Sequence, residues 1–427
     1  MSIMTAMYSG VSGIAAEGQA LGVVGDNIAN SNTIGFKQQR ALFRDVLGRT
    51  VGSGIRTGGS GVEVADVQQM FVQGTLVSTG VSTDMALSGD GFFVVQGSVG
   101  GQTGQYYSRA GNFRLDKDGK LVTPEGLKTM GYAAQADGTM SAALTELEVS
   151  TSALPPRVTS TMKITANLDA GATATTWNAA DPGGTSNFST SMTVYDSLGN
   201  AHAVDAYFCK TADNAWDYHL LTASDGITAG TAGTQEIGSG ALAFDTDGAL
   251  NTFTEAVPVS VTFAGASAQT IAMDFGSQKS VSPGTGLDGF TQFGAKSNVS
   301  DQSQNGYASG GLSGISVDGQ GVLMGTYTNG QKIAVGQLAI ARFRSNDGLE
   351  RGGQNLWSSS NSSGAPALGT AGAGGRGAVS GGALEQSNVD IAQQFVEMIS
   401  HQRAFQASSK TIQTADQMLQ EVVNLKR

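Results

Sequence analysis

Apolar positions recur along this chain with two periods, and the change from one to the other marks its organisation. At the amino end Met4, Met7, Val11, Ile14, Gly18, Leu21, Gly25 and Ile28 step by threes and fours, the spacing of one stripe on an α-helix. At the carboxyl end Ile391, Phe395, Met398, Phe405, Ile412, Ala415, Leu419 and Val422 step by threes, fours and sevens. Ser387 or Asn388 is placed to cap that second helix, and Lys426 and Arg427 sit where its dipole favours cations. At about 1.5 Å per residue it is a rod roughly 55 Å long, too long for one compact core. Gly10, Gly13, Gly18, Gly22 and Gly25 fall inside the first helix and each costs about 1 kcal/mol relative to Ala. Burial of the apolar stripe, at roughly 1.5–3 kcal/mol per side chain, offsets that cost only against a partner. The expectation is two terminal helices that pair with each other and with neighbouring subunits, rather than a helical hairpin inside one domain.

Between them the period becomes two. Asn27 to Phe36 ends the first helix, because Asn tolerates the left-handed conformation and Gly35 adopts it freely. Gly48 to Gly61 is rich in Gly, Ser and Thr and reads as a flexible connector. Strand-like alternation follows, punctuated by Asp90-Gly91, Asp118-Gly119 and Asn329-Gly330, dipeptides suited to hairpins. Strands at Ser191–Tyr195, Ala203–Phe208, Trp216–Leu221 and Val257–Phe263 fill the middle, and Ser358 to Gly382 reads as a linker by composition. The predicted class is α+β and multidomain: paired N- and C-terminal helices, coiled-coil-like, plus two mainly antiparallel β domains, the second inserted in the first. The layout is an axial helix at 1–30, a connector at 31–78, half a β domain at 79–155, an inserted outer β domain at 156–286, the other half at 287–357, a linker at 358–386 and an axial helix at 387–427.

Composition narrows the function. A net charge of −11 argues against a nucleic-acid partner, since phosphate binding needs clustered Lys and Arg. The acidic excess lies in the middle of the chain, as suits a solvent-facing outer domain. Between Lys37 and Arg56 the sign reverses, and Lys37, Arg40, Arg44, Arg49 and Arg56 face only Asp45, which suggests a solvated loop or an acidic neighbour. No stretch has eighteen consecutive apolar residues, so no membrane span is expected, and no Sec-type signal is visible. The single cysteine, Cys209, reads as a packed strand residue. His202, His219 and His401 lack zinc spacing, and His401 reads as a surface residue on a helix. Asp116-Lys-Asp118-Gly119 and Asp245-Thr-Asp247-Gly248 imitate the start of a calcium loop without its later ligands, so both read as turns. No phosphate cradle or nucleophile elbow is present, and no catalytic, metal or cofactor site is expected.

Several stretches resemble the axial proteins of the bacterial flagellum. Asn27–Lys37 carries that family's amino-terminal signature, at Asn27, Ala29, Asn30, Thr33, Gly35 and Phe36. Gln73–Leu76, Ala86–Phe93 and Tyr107–Phe113 resemble the β domain of its rod and hook subgroup, and Leu384–Asp390 with Gln402–Gln406 is similar to its closing helix. The large middle domain separates the chain from the shorter rod members, and Val194–Asn200 with Tyr207, Phe208 and Trp216 resembles the outer domain of hook subunits. The resemblance implies a structural subunit that polymerises into the curved, flexible hook joining rod to filament and transmitting torque. The alternatives are a distal rod or hook-associated junction protein and, more remotely, a secreted β-rich adhesin. It implies axial interfaces at Met4, Met7, Val11, Ile14, Leu21, Ile28, Ile391, Phe395, Met398, Phe405, Ile412, Leu419 and Val422. Its implied partners are further copies of the chain in a helical homopolymer, the rod, hook-cap and hook–filament junction proteins, and the flagellar type III export apparatus. Export without a cleaved signal would place it in the extracellular hook, and Phe43 with Leu47 matches the family's export-gate motif.

Overall fold

The computed structural model describes residues 3–50, 57–135, 138–150, 152–228, 233–281 and 283–425. Leu47 and Val422 are traced without a description of their side chains, and Gly52 to Gly54, Lys426 and Arg427 lie outside the described residues. The chain is mostly β, with a helix at each end, Ile3–Ala29 and Ile391–Leu425. It divides into two compact units, one of Met1–Thr151, Ser313–Thr326 and Lys332–Arg427, the other of Ser152–Leu312 and Tyr327–Gln331.

In the first unit the two terminal helices are in contact, and a long antiparallel hairpin of Gln39–Thr50 and Thr57–Gln69 packs on the amino-terminal one. The Val62 amide donates to Ser12 Oγ at 3.2 Å, and Gly61, at φ +103°, lets the strand press that close. This hairpin takes residues 48–50 and 57–61 of the expected flexible connector into its strands, and residues 51–56 of that connector lie outside the described residues. Its alternating Phe43, Val62, Val64 and Val67 make a strand face that the Gly and Ser content hides. The expected linker after Ser358 is also folded: Ala367–Gly369, Ala378–Gly381 and Ala383–Glu385 are strands, with Ala371 and Val379 buried. Small residues there allow close strand packing rather than freedom. Phe92, Tyr107, Phe343 and Trp357 form the aromatic centre of the unit's main sheet, with Tyr107 and Phe343 edge-to-face at 4.7 Å.

The second unit is two sheets over one core. A five-stranded antiparallel meander runs from Phe188–Tyr195 to Leu250–Val257. The other sheet is built on Thr161–Asp169, whose burial alternates strictly. Trp216, Tyr218, Phe208, Ile164, Phe275 and Phe290 fill the space between, drawn from both sheets. Thr161–Asp169 also pairs in parallel with residues 272–274 and 291–293, an exception to the expected antiparallel arrangement. The unit extends past the expected boundary at Gly286 to Leu312, because Asn298–Gln304 pairs antiparallel with that same central strand.

Candidate assembly surface and terminal clamp

The terminal helices run antiparallel, as their contacts show: Gly10 lies against Ile412, Gly13 against Ser408, Glu17 against His401, and Asn27 against Gln394. The buried stripe of the amino-terminal helix is Gly10, Gly13, Ala16, Ala20, Val24 and Asn27. Glycine is needed at two of these positions. A Cβ on Gly10 would lie 2.7 Å from Ile412 Cγ1, and one on Gly13 would lie 2.8 Å from Ser408 Oγ. The predicted stripe is displaced by about one residue from this pairing face. Met7, Ile14, Leu21 and Ile28 are half-buried, and Met4 and Val11 are exposed. Apolar periodicity selects large side chains, whereas a close helix crossing selects small ones.

On the carboxyl-terminal helix the sheltered positions are Gln394, Met398, His401, Phe405, Ser408, Ile412, Ala415 and Leu419, a sustained heptad of steps. Met398, Phe405, Ile412, Ala415 and Leu419 are the predicted members; the polar members were invisible to an apolar search. Ile391 and Phe395 point away and are exposed, as are Val396 and Ile399. The helix is capped by Asp390, whose Oδ1 accepts from the amides of Ala392 and Gln393 at 2.9 and 3.2 Å, not by Ser387 or Asn388. His401 is half-buried and paired: its Nδ1 lies 2.7 Å from Glu17 Oε2, and its ring lies 6.1 Å from that of Phe43.

On the amino-terminal helix pairing thus uses mainly small groups, against Met398, Phe405, Ile412 and Leu419 of the other helix, and leaves several large apolar side chains outside. Met4, Tyr8, Val11, Ala15, Gly18, Gly22 and Ala29, spaced by fours, threes and one seven, form an exposed stripe on the amino-terminal helix. A side chain added at Gly18, Gly22 or Gly25 would meet nothing within 4 Å in this chain.

At the base of the helices the motif stretches converge. Asn30 closes the first helix by bonding the Asp26 carbonyl and carboxylate, both at 2.9 Å, and accepts from Thr33 Oγ1 at 3.1 Å. Gly35, at φ +69°, sits where a Cβ would strike the backbone of Ala110. Phe36 is buried, with the Arg351 guanidinium 5.5 Å above its ring. Ala29 is exposed, and its place in the motif has no contact to explain it.

Three consecutive residues then bind the carboxyl-terminal segment. Lys37 Nζ donates to Glu385 Oε1 at 2.6 Å and to the Val72 carbonyl at 2.8 Å. The Gln38 amide donates to Asn388 Oδ1 at 2.7 Å. Gln39 exchanges bonds with Asn27 at 2.9 and 2.7 Å, and Asn27 Nδ2 donates to Gln394 Oε1 at 2.9 Å. Glu385 also accepts from the Gly74 amide at 2.8 Å and from Arg109 Nη1 at 3.5 Å. Lys37 and Glu385 have fully buried side chains. Burial holds Lys37 below the usual lysine range, against the pull of Glu385, and does the same to Arg109. Asn27, Lys37, Arg109, Glu385 and Asn388 lie inside the recognised motif stretches at 27–37, 107–113 and 384–390, and Gln38, Gln39 and Gln394 just outside them, but no periodicity or charge pattern marks their role. Arg44 finds Glu63 at 2.6 Å on the exposed hairpin, so the basic segment meets acidic neighbours at two points.

The other candidate groups are structural. Asp116 Oδ1 accepts from the amides of Asp118 and Lys120, as in a turn, and Lys279 Nζ sits between Asp245 and Asp247 at 2.5 and 3.0 Å, so a lysine holds the place a cation would take. Burial pushes the Cys209 thiol up to about 11. Phe43 lies on the hairpin strand and is partly exposed. No group of three or more metal-ligating side chains occurs among the described residues, and no described helix is long and apolar enough to cross a membrane.

Four family models match in chain order: flagella basal body rod protein over residues 7–37, the flagellar hook protein FlgE/F/G D1 domain over 86–165, the flagellar basal body protein FlaE D2 domain over 167–307, and the flagellar basal body rod FlgEFG protein C-terminal region over 380–425. The flagellar hook protein FlgE of Escherichia coli K12 is 36% identical over 99% of this chain and 100% of its own length. The FlgE of Salmonella typhimurium LT2 is 36% identical over 97% and 98%, and that of Treponema pallidum 32% identical over the whole of both chains. The crystal structure of Helicobacter pylori FlgE2 superposes with a TM-score of 0.51 at 16% identity, covering 71% of this chain and 98% of that one, a likeness of fold. Matched from end to end by hook proteins of different bacteria, the chain belongs to the flagellar hook protein family.

Proposed function

We propose that this chain is the structural subunit that polymerises into the curved, flexible hook linking the flagellar rod to the filament, and that its terminal helices build the axial tube. The observation that carries the reading is the inside-out helix pair. The amino-terminal helix spends mainly small and polar groups on the contact within the chain, while Met4, Tyr8, Val11, Phe395, Val396 and Ile399 stay exposed. Apolar side chains on a helix of a monomer gain about 1.5–3 kcal/mol each when buried, so the pair is stable chiefly in company.

In this reading the helices act in coiled-coil fashion between copies, and the second unit is the outer domain inserted in the first. The ends of the polymer would meet rod, hook-cap and hook–filament junction proteins. Export through the flagellar type III apparatus, without a cleaved signal, would read Phe43 and Leu47 in the unfolded chain. A structural subunit needs no catalytic group, which suits the bonded turns and buried thiol described above.

The test compares full-length protein with a version lacking Met1–Asn30 and Ser387–Arg427, both imaged by electron microscopy under salting-out conditions. Curved tubes from the full-length chain alone are expected. Val11→Asp and Phe395→Asp should abolish tubes while leaving both β units folded, because both positions are half-exposed in the monomer. Tubes from the truncated chain would remove the helices from the axial role.

A further inference from the structure

The face that joins the two terminal helices is poor at choosing one alignment. Its buried residues on the amino-terminal side include Gly10, Gly13, Ala16 and Ala20, all small. Sliding the antiparallel pair by one turn would set Ile412 against Gly13 in place of Gly10, and Ser408 against Ala16 in place of Gly13. Ile412 would still meet a glycine, and the one contact that opposes the slip is Ser408, which would face the Ala16 Cβ where Gly13 now leaves room. Among the described residues, Glu17 with His401 is the one polar side-chain pairing along that length.

At the base the situation is the reverse. Lys37, Gln38 and Gln39 meet Glu385, Asn388 and Gln394 in order, the last through Asn27, with bonds of 2.6 to 2.9 Å. Lys37 reaches Glu385, Gln38 reaches Asn388 and Asn27 reaches Gln394, a one-to-one order along the two segments. Shifting the segments by a single residue would break the Lys37–Glu385 ion pair and the Asn27–Gln394 bond, leaving the buried Lys37 ammonium with only the Val72 carbonyl and Asn27 with only Gln39, and a buried charge parted from its counter-charge is costly.

We propose that this buried ladder, anchored by Lys37–Glu385–Arg109, is the register determinant of the terminal helix pair. These residues position the helices through contacts within the chain. The inference stands on the monomer; its consequence for the hook, that a slipped pair would present a misaligned apolar stripe to the next subunit, rests on the assembly reading above.

The test uses the full-length chain with Cys209→Ala and one of two engineered pairs. Gly13→Cys with Ser408→Cys reports the native register, since the Gly13 Cβ position lies 3.4 Å from Ser408 Cβ, within disulfide reach. Ala16→Cys with Ser408→Cys reports the one-turn slip. Cross-links are mapped by mass spectrometry in soluble and pelletable fractions alike, so the outcome does not depend on whether tubes form. With the ladder intact, the native pair should cross-link about tenfold faster or more, as loss of several charge-assisted bonds would predict. In Lys37→Met/Arg109→Met/Glu385→Leu the two rates should come within about threefold, since the apolar replacement keeps volume and removes the register choice. Asn388→Ala/Gln394→Ala, which keeps the buried charges, should shift the ratio the same way and decides the matter if the triple variant does not fold. An unchanged ratio in the folded variants would mean that strand pairing of Leu76–Ser78 with Ala383–Glu385 sets the register, and would overturn the proposal. So would equal rates with the ladder intact. Tubes absent but ratios as expected would count against the assembly reading alone.

Discussion

Glu385 and Asp196 show how differently two buried carboxylates can be used. Glu385 is matched to two cations from distant parts of the chain, so its value lies in where it puts them. Asp196 serves its own turn. Its side chain is buried, and burial alone would raise its pKa, but bonds from His202, from the Asn200 side chain and from the amides of Asn200 and Leu198 hold it at about 2. A carboxyl depressed in the folded state stabilises fully above its unfolded value, 3.8, and loses that contribution as pH falls through the folded one. The difference amounts to about 2 kcal/mol. Asp196→Asn should therefore destabilise the second unit near neutral pH and flatten its acid unfolding between about pH 4 and 2, as followed by hydrogen exchange of residues 188–223. An acid limb as steep as that of the parent would rule the Asp196 network out as its source.

Among the elements, the amino-terminal helix carries the clearest conflict between local preference and use. Gly18 and Gly22 face no atom of their own chain, yet each weakens the helix by about 1 kcal/mol relative to Ala. Gly18→Ala/Gly22→Ala should raise the helical content of the monomer, read by circular dichroism, because nothing obstructs the added methyls. The same change should slow or abolish tube formation if another helix approaches that closely in the polymer. More helix together with normal tubes would show that the open glycines have no part in assembly. Gly10 and Gly13 differ, since their space is already taken by Ile412 and Ser408.

At the scale of the whole chain, the second unit has its own core from residues 162–299 and should unfold as a cooperative body. Cys209 reports on it: fully buried, with its thiol pushed up to about 11, it should stay unreactive toward a thiol reagent at pH 8 until that core opens. Fast labelling of the native protein would place the thiol at a mobile surface. The expected boundaries near 156 and 286 missed the strand at Asn298–Gln304, whose polar composition resembles a loop and whose pairing with Thr161–Asp169 spans more than a hundred residues.

The sequence by itself determined the terminal helices, the β-rich middle, the motif turn at Asn27–Phe36 and, through the resemblance, the family. These depend on local periodicity, turn chemistry and residue identity, all of which are written along the chain. Tertiary structure alone decided which helix face is inner and which outer, because a tight antiparallel crossing prefers glycine and alanine to the large apolar side chains that a periodicity search finds. It also drew residues of two Gly- and Ser-rich stretches into strands, at 57–61 and at 367–369, 378–381 and 383–385, since a strand can be completed by a partner elsewhere in the fold. The clamp is the sharpest case: Lys37 and Glu385 are 348 residues apart and become a pair only when the fold brings both ends of the chain together.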